Sequence, residues 1–104
     1  MLDKEAARHI ALEMIGHLAK TSGRTYVILE DGVREHPLAW IFPFNSDAFA
    51  TTRDRRKLVL GIAPIIVKRK TGEARMGRPY RFNEFLEEYL AEDTAAPAGG
   101  SAAW

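Results

Sequence analysis

The central stretch of the chain begins with Leu38-Ala39-Trp40-Ile41-Phe42-Pro43-Phe44-Asn45-Ser46 and ends with Leu58-Val59-Leu60-Gly61-Ile62-Ala63-Pro64-Ile65-Ile66-Val67. Trp40, Phe42 and Phe44 alternate along the first run, so in an extended chain they share one face of a sheet. The second run holds the densest β-branched residues of the chain. The two runs therefore predict two central strands that helices from other segments cover. The aromatic stripe is interpreted as core in preference to a binding patch.

Apolar residues with helical spacing predict one helix on each side of this stretch. Apolar side chains recur at three- and four-residue intervals over residues 3–20 and again over residues 82–90. Asp3 and Asn83 are suited to N-cap the two helices. Gly23 is suited to end the first helix in the left-handed conformation.

Short β-rich segments between the helices predict an antiparallel sheet. Residues 26–30 form a strand by composition, and Asp31-Gly32 is a dipeptide typical of hairpin turns. A buried strand at 65–67 turns back near Gly72 into a short strand at 74–78. The predicted fold class is α+β: a two-layer domain whose antiparallel sheet of three to four strands is flanked by an N-terminal and a C-terminal helix, with both helices on one face.

The length and composition of the chain fit one globular domain. The chain has 104 residues, of which 46% are hydrophobic and 28% charged, and its formal net charge is +1. We expect the domain over residues 1–92 and a disordered tail of small residues over 93–104. No secretory signal and no apolar run of about 20 residues is apparent, so no membrane association is expected. The absence of cysteine excludes disulfides and suits a reducing cytoplasm.

Residues that carry catalytic or metal chemistry are sparse and poorly spaced for it. His9 and His17 are eight residues apart on one helix, too far to share a metal ion. Glu87 and Glu88 are adjacent and diverge on a helix, and no serine lies in a nucleophile elbow. The sequence therefore predicts no catalytic residues, no cofactor and no metal site, and the chain is not expected to be an enzyme.

Two basic clusters remain as candidates for binding. Charged loops near an aromatic residue can contact phosphate or an acidic protein surface. Charged loop tips also keep a protein soluble and block edge pairing of strands. For nucleic acid, the solubilising role is favoured over binding. For an acidic protein partner, both interpretations stay open. The clusters and the neighbouring aromatic are Arg53, Arg55, Arg56 and Lys57; Lys68, Arg69 and Lys70; and Phe49.

The motifs of the central stretch resemble the small bacterial YrhB-like family, also classed as immunity protein thirty-five of polymorphic toxin systems. The family pattern Gly-Trp-x-Phe-x-Tyr-Asn-Ser corresponds to Ala39–Ser46, and Gly-Asn-x-Pro-Ile-Ile-Val corresponds to Gly61–Val67. The family's ending corresponds to Gly77-Arg78-Pro79-Tyr80 and the helix around Tyr89. The resemblance covers about residues 4–92.

Three positions depart from the family pattern. Ala39, Phe44 and Ile62 stand where the family has Gly, Tyr and Asn. The last two departures remove a hydroxyl and an amide, so polar contacts that these groups would make cannot be carried over.

The resemblance implies a non-enzymatic immunity protein that binds and neutralises a cognate bacterial toxin, with no catalytic residues to carry over. A chaperone-like role has also been attached to the family. The motif residues are interpreted as the structural core: Trp40, Phe42, Gly61, Pro64 and Ile66.

The main hypothesis is therefore a toxin-neutralising protein that occludes its target. Its contact candidates are loop residues beside the core motif, because arginine and aromatic side chains carry interface energy. A holdase-type chaperone, which needs an exposed apolar patch, and a nucleic-acid-binding module are alternatives, and the oligomeric state stays open. The contact candidates are Phe49, Arg53, Arg55, Arg56, Lys68, Arg69 and Lys70.

Overall fold

A computed structural model describes residues 1–95, with the side chains of residues 1–91. The tail predicted for 93–104 lies outside these residues except for its first three, which end the last helix. Two 3₁₀ turns, Glu30–Gly32 and Arg55–Lys57, accompany the helices and strands. In chain order the helices and strands are α1 (Lys4–Ser22), β1 (Tyr26–Ile28), β2 (Arg34–His36), β3 (Ala39–Phe42), β4 (Phe44–Ser46), α2 (Asp47–Thr52), β5 (Ile65–Lys68), β6 (Ala74–Met76) and α3 (Phe82–Ala95).

The strands form two antiparallel sheets. The larger has the order β2-β3-β5-β6, and β1 pairs with β4 in a separate two-stranded sheet. In the centre of the larger sheet Trp40 lies opposite Val67, and Phe42 lies opposite Ile65. The predicted α+β class, with antiparallel strands between an N-terminal and a C-terminal helix, is confirmed, and so are the two central strands.

Pro43 divides the aromatic segment between the two sheets. Proline has no N–H to donate, so the ladder of the larger sheet ends at Phe42. Phe44 then begins β4 and lies opposite Ile28 of β1. The Pro43 carbonyl still accepts a hydrogen bond from the Leu29 N–H at 2.8 Å. One continuous run of sequence therefore serves two sheets.

The hairpin predicted at Asp31-Gly32 is wrong. These residues form a 3₁₀ turn, and β1 pairs with β4 rather than with β2. The chain reverses instead at Pro37-Leu38, where the Leu38 N–H donates to Nδ1 of His36 at 3.0 Å. Gly32 has a packing role, because a Cβ there would lie 2.9 Å from Cγ of Pro43.

The first helix is capped at both ends as its sequence predicts, whereas the last helix begins before its predicted N-cap. Asp3 Oδ1 accepts the Ala6 N–H at 2.9 Å, and Gly23 ends α1 with φ of 71°. Helix α3 already includes Phe82, so Asn83 lies in its first turn and is not the N-cap.

Helix α1 covers one face of the strands. Trp40 and Phe42 share the face of the larger sheet under α1, as predicted, and Phe44 packs in the same cluster from the two-stranded sheet. Trp40 lies at its margin, and its Nε1–H donates to the Leu2 carbonyl at 3.2 Å. The fully buried members of this cluster on α1 and β5 are Ala7, Ala11, Ile15, Ile65 and Val67.

Helix α3 covers the opposite face, so the layering differs from the predicted two layers. Ile41 and Ile66 point away from α1 and pack with Leu86 and Leu90 of α3. The central strands are apolar on both faces, and each face therefore needs its own cover. The result is a three-layer arrangement, with the four-stranded sheet between the two long helices.

The residues of the predicted core motif differ in burial. Phe42 and Ile66 are fully buried, and Trp40 and Pro64 are half-buried. Gly61 is exposed and adopts φ of 83°, a left-handed conformation that glycine tolerates best.

Truncating the buried aromatic ring at the centre should destabilise the fold. Phe42→Ala removes a side chain with 0% exposure and should lower the free energy of unfolding by about 3–5 kcal/mol, because it leaves a cavity between α1 and the sheet. Urea denaturation measures this loss. Tyr80→Ala is the matched control, since Tyr80 is 71% exposed. Equal losses in the two variants would contradict the assigned core.

Candidate functional site

Asn45 and Ser46 fix the segment that follows β4. Asn45 is 5% exposed; its Oδ1 accepts the Val59 N–H at 2.8 Å and its Nδ2 donates to the Val59 carbonyl at 3.1 Å. The Ser46 hydroxyl donates to the Lys57 carbonyl at 2.8 Å and accepts the Phe49 N–H at 3.0 Å. The segment that follows Ser46, here called the basic segment (residues 47–60), is thereby tied to β4 at its beginning and near its end.

Phe49 and Arg53 form one unit on α2. Arg53 ends this helix with φ of 56°, and its N–H donates to the Phe49 carbonyl at 2.6 Å. Its guanidinium lies 5.6 Å from the centre of the Phe49 ring, and Nη2 donates to Asp31 Oδ1 at 3.3 Å. Arg53 therefore links α2 to the first 3₁₀ turn while half of its side chain stays exposed.

Arg55 and Arg56 lie on the second 3₁₀ turn. Asp54 Oδ1 accepts the Arg56 N–H at 3.0 Å, and the Arg56 guanidinium donates to both oxygens of this carboxylate, at 3.2 and 3.0 Å. These bonds hold the pKa of Asp54 below its usual range, the side-chain bond having the larger effect. Arg55 is exposed, and no carboxylate of residues 1–91 lies within ion-pair distance of it.

Lys68 lies inside the protein. It is 3% exposed; its Nζ is 3.2 Å from Oε1 of Glu73 and 4.3 Å from the centre of the Tyr89 ring. Burial of a lysine is tolerated when the ammonium is paired in this way. Lys68 thus helps to join β5 to α3 and does not present its charge to a partner surface.

Arg69 also has a structural role, whereas Lys70 is exposed. The Arg69 guanidinium lies 5.1 Å from the centre of the Trp40 ring and donates to Glu35 Oε2 at 3.2 Å and to the His36 carbonyl at 3.1 Å. Of the three basic residues predicted at this hairpin, Lys70 alone is exposed.

The two basic clusters are not brought together. Lys68 lies opposite Ala39, the first residue of β3, whereas the basic segment follows Ser46, the last residue of β4. At about 3.3 Å per residue, the β3–β4 run spans roughly 23 Å. The candidate site is therefore the basic segment, and Lys70 lies toward the other end of the sheet.

Two exposed side chains are not predicted from the sequence: Leu60, the last residue of the basic segment, and Arg34, which lies near it. Leu60 is 82% exposed although it belongs to an apolar run that predicts a buried strand. The signal is the neighbouring Gly61, whose left-handed conformation interrupts the extended chain before Pro64. Arg34 was not singled out because it is an isolated arginine, and only the fold brings it near Arg53.

Together these residues define a class of site. Guanidinium groups, a half-buried aromatic ring and an exposed aliphatic side chain are carried by a segment that hydrogen bonds anchor to the sheet. Such groups are common at the centres of protein interfaces, so the molecule is a small α+β domain with a surface suited to binding.

A family model described as Immunity protein 35 matches residues 5–92, and the chain belongs to this family. The match confirms the resemblance to immunity protein thirty-five drawn from the motifs, and it supports an immunity function with a toxin as the kind of partner. No curated protein and no solved structure matches the chain. None of the helices within residues 1–95 combines the length and apolar composition needed to cross a membrane.

Removing the amide of Asn45 should loosen the basic segment. Asn45→Ala leaves both backbone groups of Val59 without their partner and should cost about 1–3 kcal/mol of unfolding free energy. Hydrogen exchange of the Val59 amide should accelerate. Asn83→Ala is the control, because Asn83 is exposed and accepts only a long bond from Arg34 at 3.4 Å. Unchanged exchange at Val59 would show that Asn45 is not the anchor.

Arg56→Gln should raise the pKa of Asp54 toward its usual range, because it removes the guanidinium bonds that lower it. The folded-state pKa lies below the unfolded one, so the contribution of Asp54 to stability is present above the unfolded value and is lost as pH falls through the folded value. NMR titration of the Asp54 carboxyl carbon measures the change. Arg55→Gln should leave the titration unaltered; an equal shift in both variants would refute the pairing.

Proposed function

We propose that the protein is a non-enzymatic immunity protein that binds a cognate toxin and neutralises it by covering its active surface. The observation that carries the proposal is the match of residues 5–92 to the Immunity protein 35 family. The chain has no cysteine, which suits a reducing compartment, and we propose that the encounter takes place in the bacterial cytoplasm.

The basic segment is the contact surface that we propose. Phe49, Arg53, Arg55 and Arg56 lie close together in sequence on a short helix and a 3₁₀ turn. Asn45 and Ser46 hold the segment in place, which supports binding with little loss of backbone entropy. Lys70 is a separate, peripheral candidate, whereas Lys68 and Arg69 act by supporting the hairpin.

Occlusion requires affinity and correct placement but no chemistry. Exposed arginines would steer an acidic toxin surface toward the segment, and such steering raises the association rate. Phe49 and Leu60 would add apolar contact once the surfaces meet. The residues of this segment therefore have separate roles in approach and in retention.

The holdase alternative gains no support from the described residues. It needs a contiguous exposed apolar patch, whereas the large hydrophobic side chains exposed among residues 1–91 lie on different parts of the chain. They are Met1, Leu12, Leu60 and Tyr80. Nucleic-acid binding stays a prediction that a salt titration with DNA or RNA would test.

Charge reversal on the second 3₁₀ turn should weaken toxin binding. With the product of the adjacent gene tested as the toxin, Arg55→Glu/Arg56→Glu should raise the Kd at least tenfold, because two carboxylates would replace the guanidinium groups that face an acidic surface. Calorimetry measures the Kd, and growth of cells that express the toxin measures protection. The matched control is Lys4→Glu/Lys20→Glu, which changes the net charge equally on α1.

Two outcomes would count against the proposal in different ways. Unaltered affinity of the Arg55→Glu/Arg56→Glu variant would remove these residues from the interface. A wild-type protein that neither binds the toxin nor protects cells would overturn the proposed function itself.

A further inference from the structure

A groove of about 400 Å³ lies beside the first turn of α3, on the face of the sheet that this helix covers. Its apolar floor consists of Ile41, Pro43, Pro64 and Phe82. The two prolines flank the central strands, Pro43 directly after β3 and Pro64 directly before β5. The groove therefore lies where the hydrogen-bonded part of the central pair ends and where α3 only begins.

The shape of the floor is fixed by close packing. Gly77 donates its N–H to the Pro64 carbonyl at 2.8 Å, and a Cβ at Gly77 would collide with the ring of Phe82. Gly32 similarly permits the first 3₁₀ turn to lie against Pro43. Two glycines thus allow the walls and the floor to approach each other closely.

Two arginines and one aspartate lie at the rim. Arg53 is paired with Asp31, at 3.3 Å. Arg34 donates to the Asn83 side-chain carbonyl at 3.4 Å, and no carboxylate of residues 1–91 lies within ion-pair distance of it. The rim therefore carries an excess of positive charge, and an exposed guanidinium is available to a further acceptor.

Basic residues predominate in the part of the chain that contributes Arg53. Residues 53–81 contain ten basic and two acidic residues, although Lys68 and Arg69 are paired with Glu73 and Glu35 at the distant hairpin. Arg53 comes from this part of the chain, and so does Arg78, whose guanidinium lies 5.5 Å from the centre of the Phe85 ring near the start of α3. A surface that complements this region would be acidic.

We propose that the groove receives an acidic segment of the toxin, with one carboxylate on Arg34 and a neighbouring apolar side chain on the floor beside Pro43 and Phe82. The inference rests on the proposed function and specifies the chemistry of the partner. Arg53 connects the two surfaces, because it belongs to the basic segment and also lines the groove. A toxin seated here would contact both.

The test is the affinity of purified Arg34→Glu for the product of the adjacent gene, tested as the toxin. We expect the Kd to rise at least tenfold, and Arg34→Gln to give a smaller rise in the same direction, since it removes charge without reversing it. Lys20→Glu on α1 is the matched control and should bind as the wild type does. Circular dichroism and thermal unfolding of each variant verify that exposed Arg34 can be changed without loss of the fold.

Hydrogen exchange of the complex gives a second readout. The amides of Gly32 and Arg34 should become protected when the toxin binds. Protection confined to the basic segment, together with wild-type affinity of Arg34→Glu, would overturn the groove inference and leave the proposed function intact. Dimerisation of the free protein that Arg34→Glu abolishes would assign the groove to a second copy and also overturn it. Absence of any complex with the wild type would overturn the proposed function.

Discussion

The pairing of β3 with β5 is the constraint on which the architecture depends. These two strands bury side chains on both faces, with Phe42 and Ile65 toward α1 and Ile41 and Ile66 toward α3. A strand pair that is apolar on both sides cannot leave either face in water, since each buried aliphatic or aromatic side chain contributes about 1.5–3 kcal/mol. The two ends of the chain supply the covers, and the shorter elements fill the space at the margins.

Much of the fold is predictable because its signals are local. The helical periodicity, the cap at Asp3, the left-handed Gly23 and the alternation of aromatic residues each depend on a few neighbouring residues. The predicted hairpin at Asp31-Gly32 failed because a turn dipeptide does not specify which strands it joins. Strand partners depend on packing across the whole domain, and β1 pairs with β4 rather than with β2.

The layering was harder to predict for a related reason. The run Ile65-Ile66-Val67 is continuously apolar, a pattern that indicates burial on both sides of a strand but does not say which helix covers which side. Only the positions of α1 and α3 resolve it.

The candidate site was predictable in part. The sequence identifies basic clusters but does not distinguish an exposed arginine from one that stabilises the fold. Arg69 and Lys68 have their charges over the rings of Trp40 and Tyr89, which come from distant positions in the chain. Arg55, by contrast, is exposed and forms no ion pair with a carboxylate of residues 1–91. Distinguishing these roles requires knowledge of the tertiary contacts, and so does identifying Arg34 as a candidate contact residue.

The anchoring of the basic segment by Asn45 and Ser46 has a consequence for engineering. The segment is anchored through backbone groups of Val59 and Lys57, which residues other than proline would also supply. Exposed side chains between these two anchors, such as that of Arg55, can therefore change without disturbing the sheet. A different sequence placed between Phe49 and Lys57 would keep the same anchoring hydrogen bonds and would present a new surface to a different target.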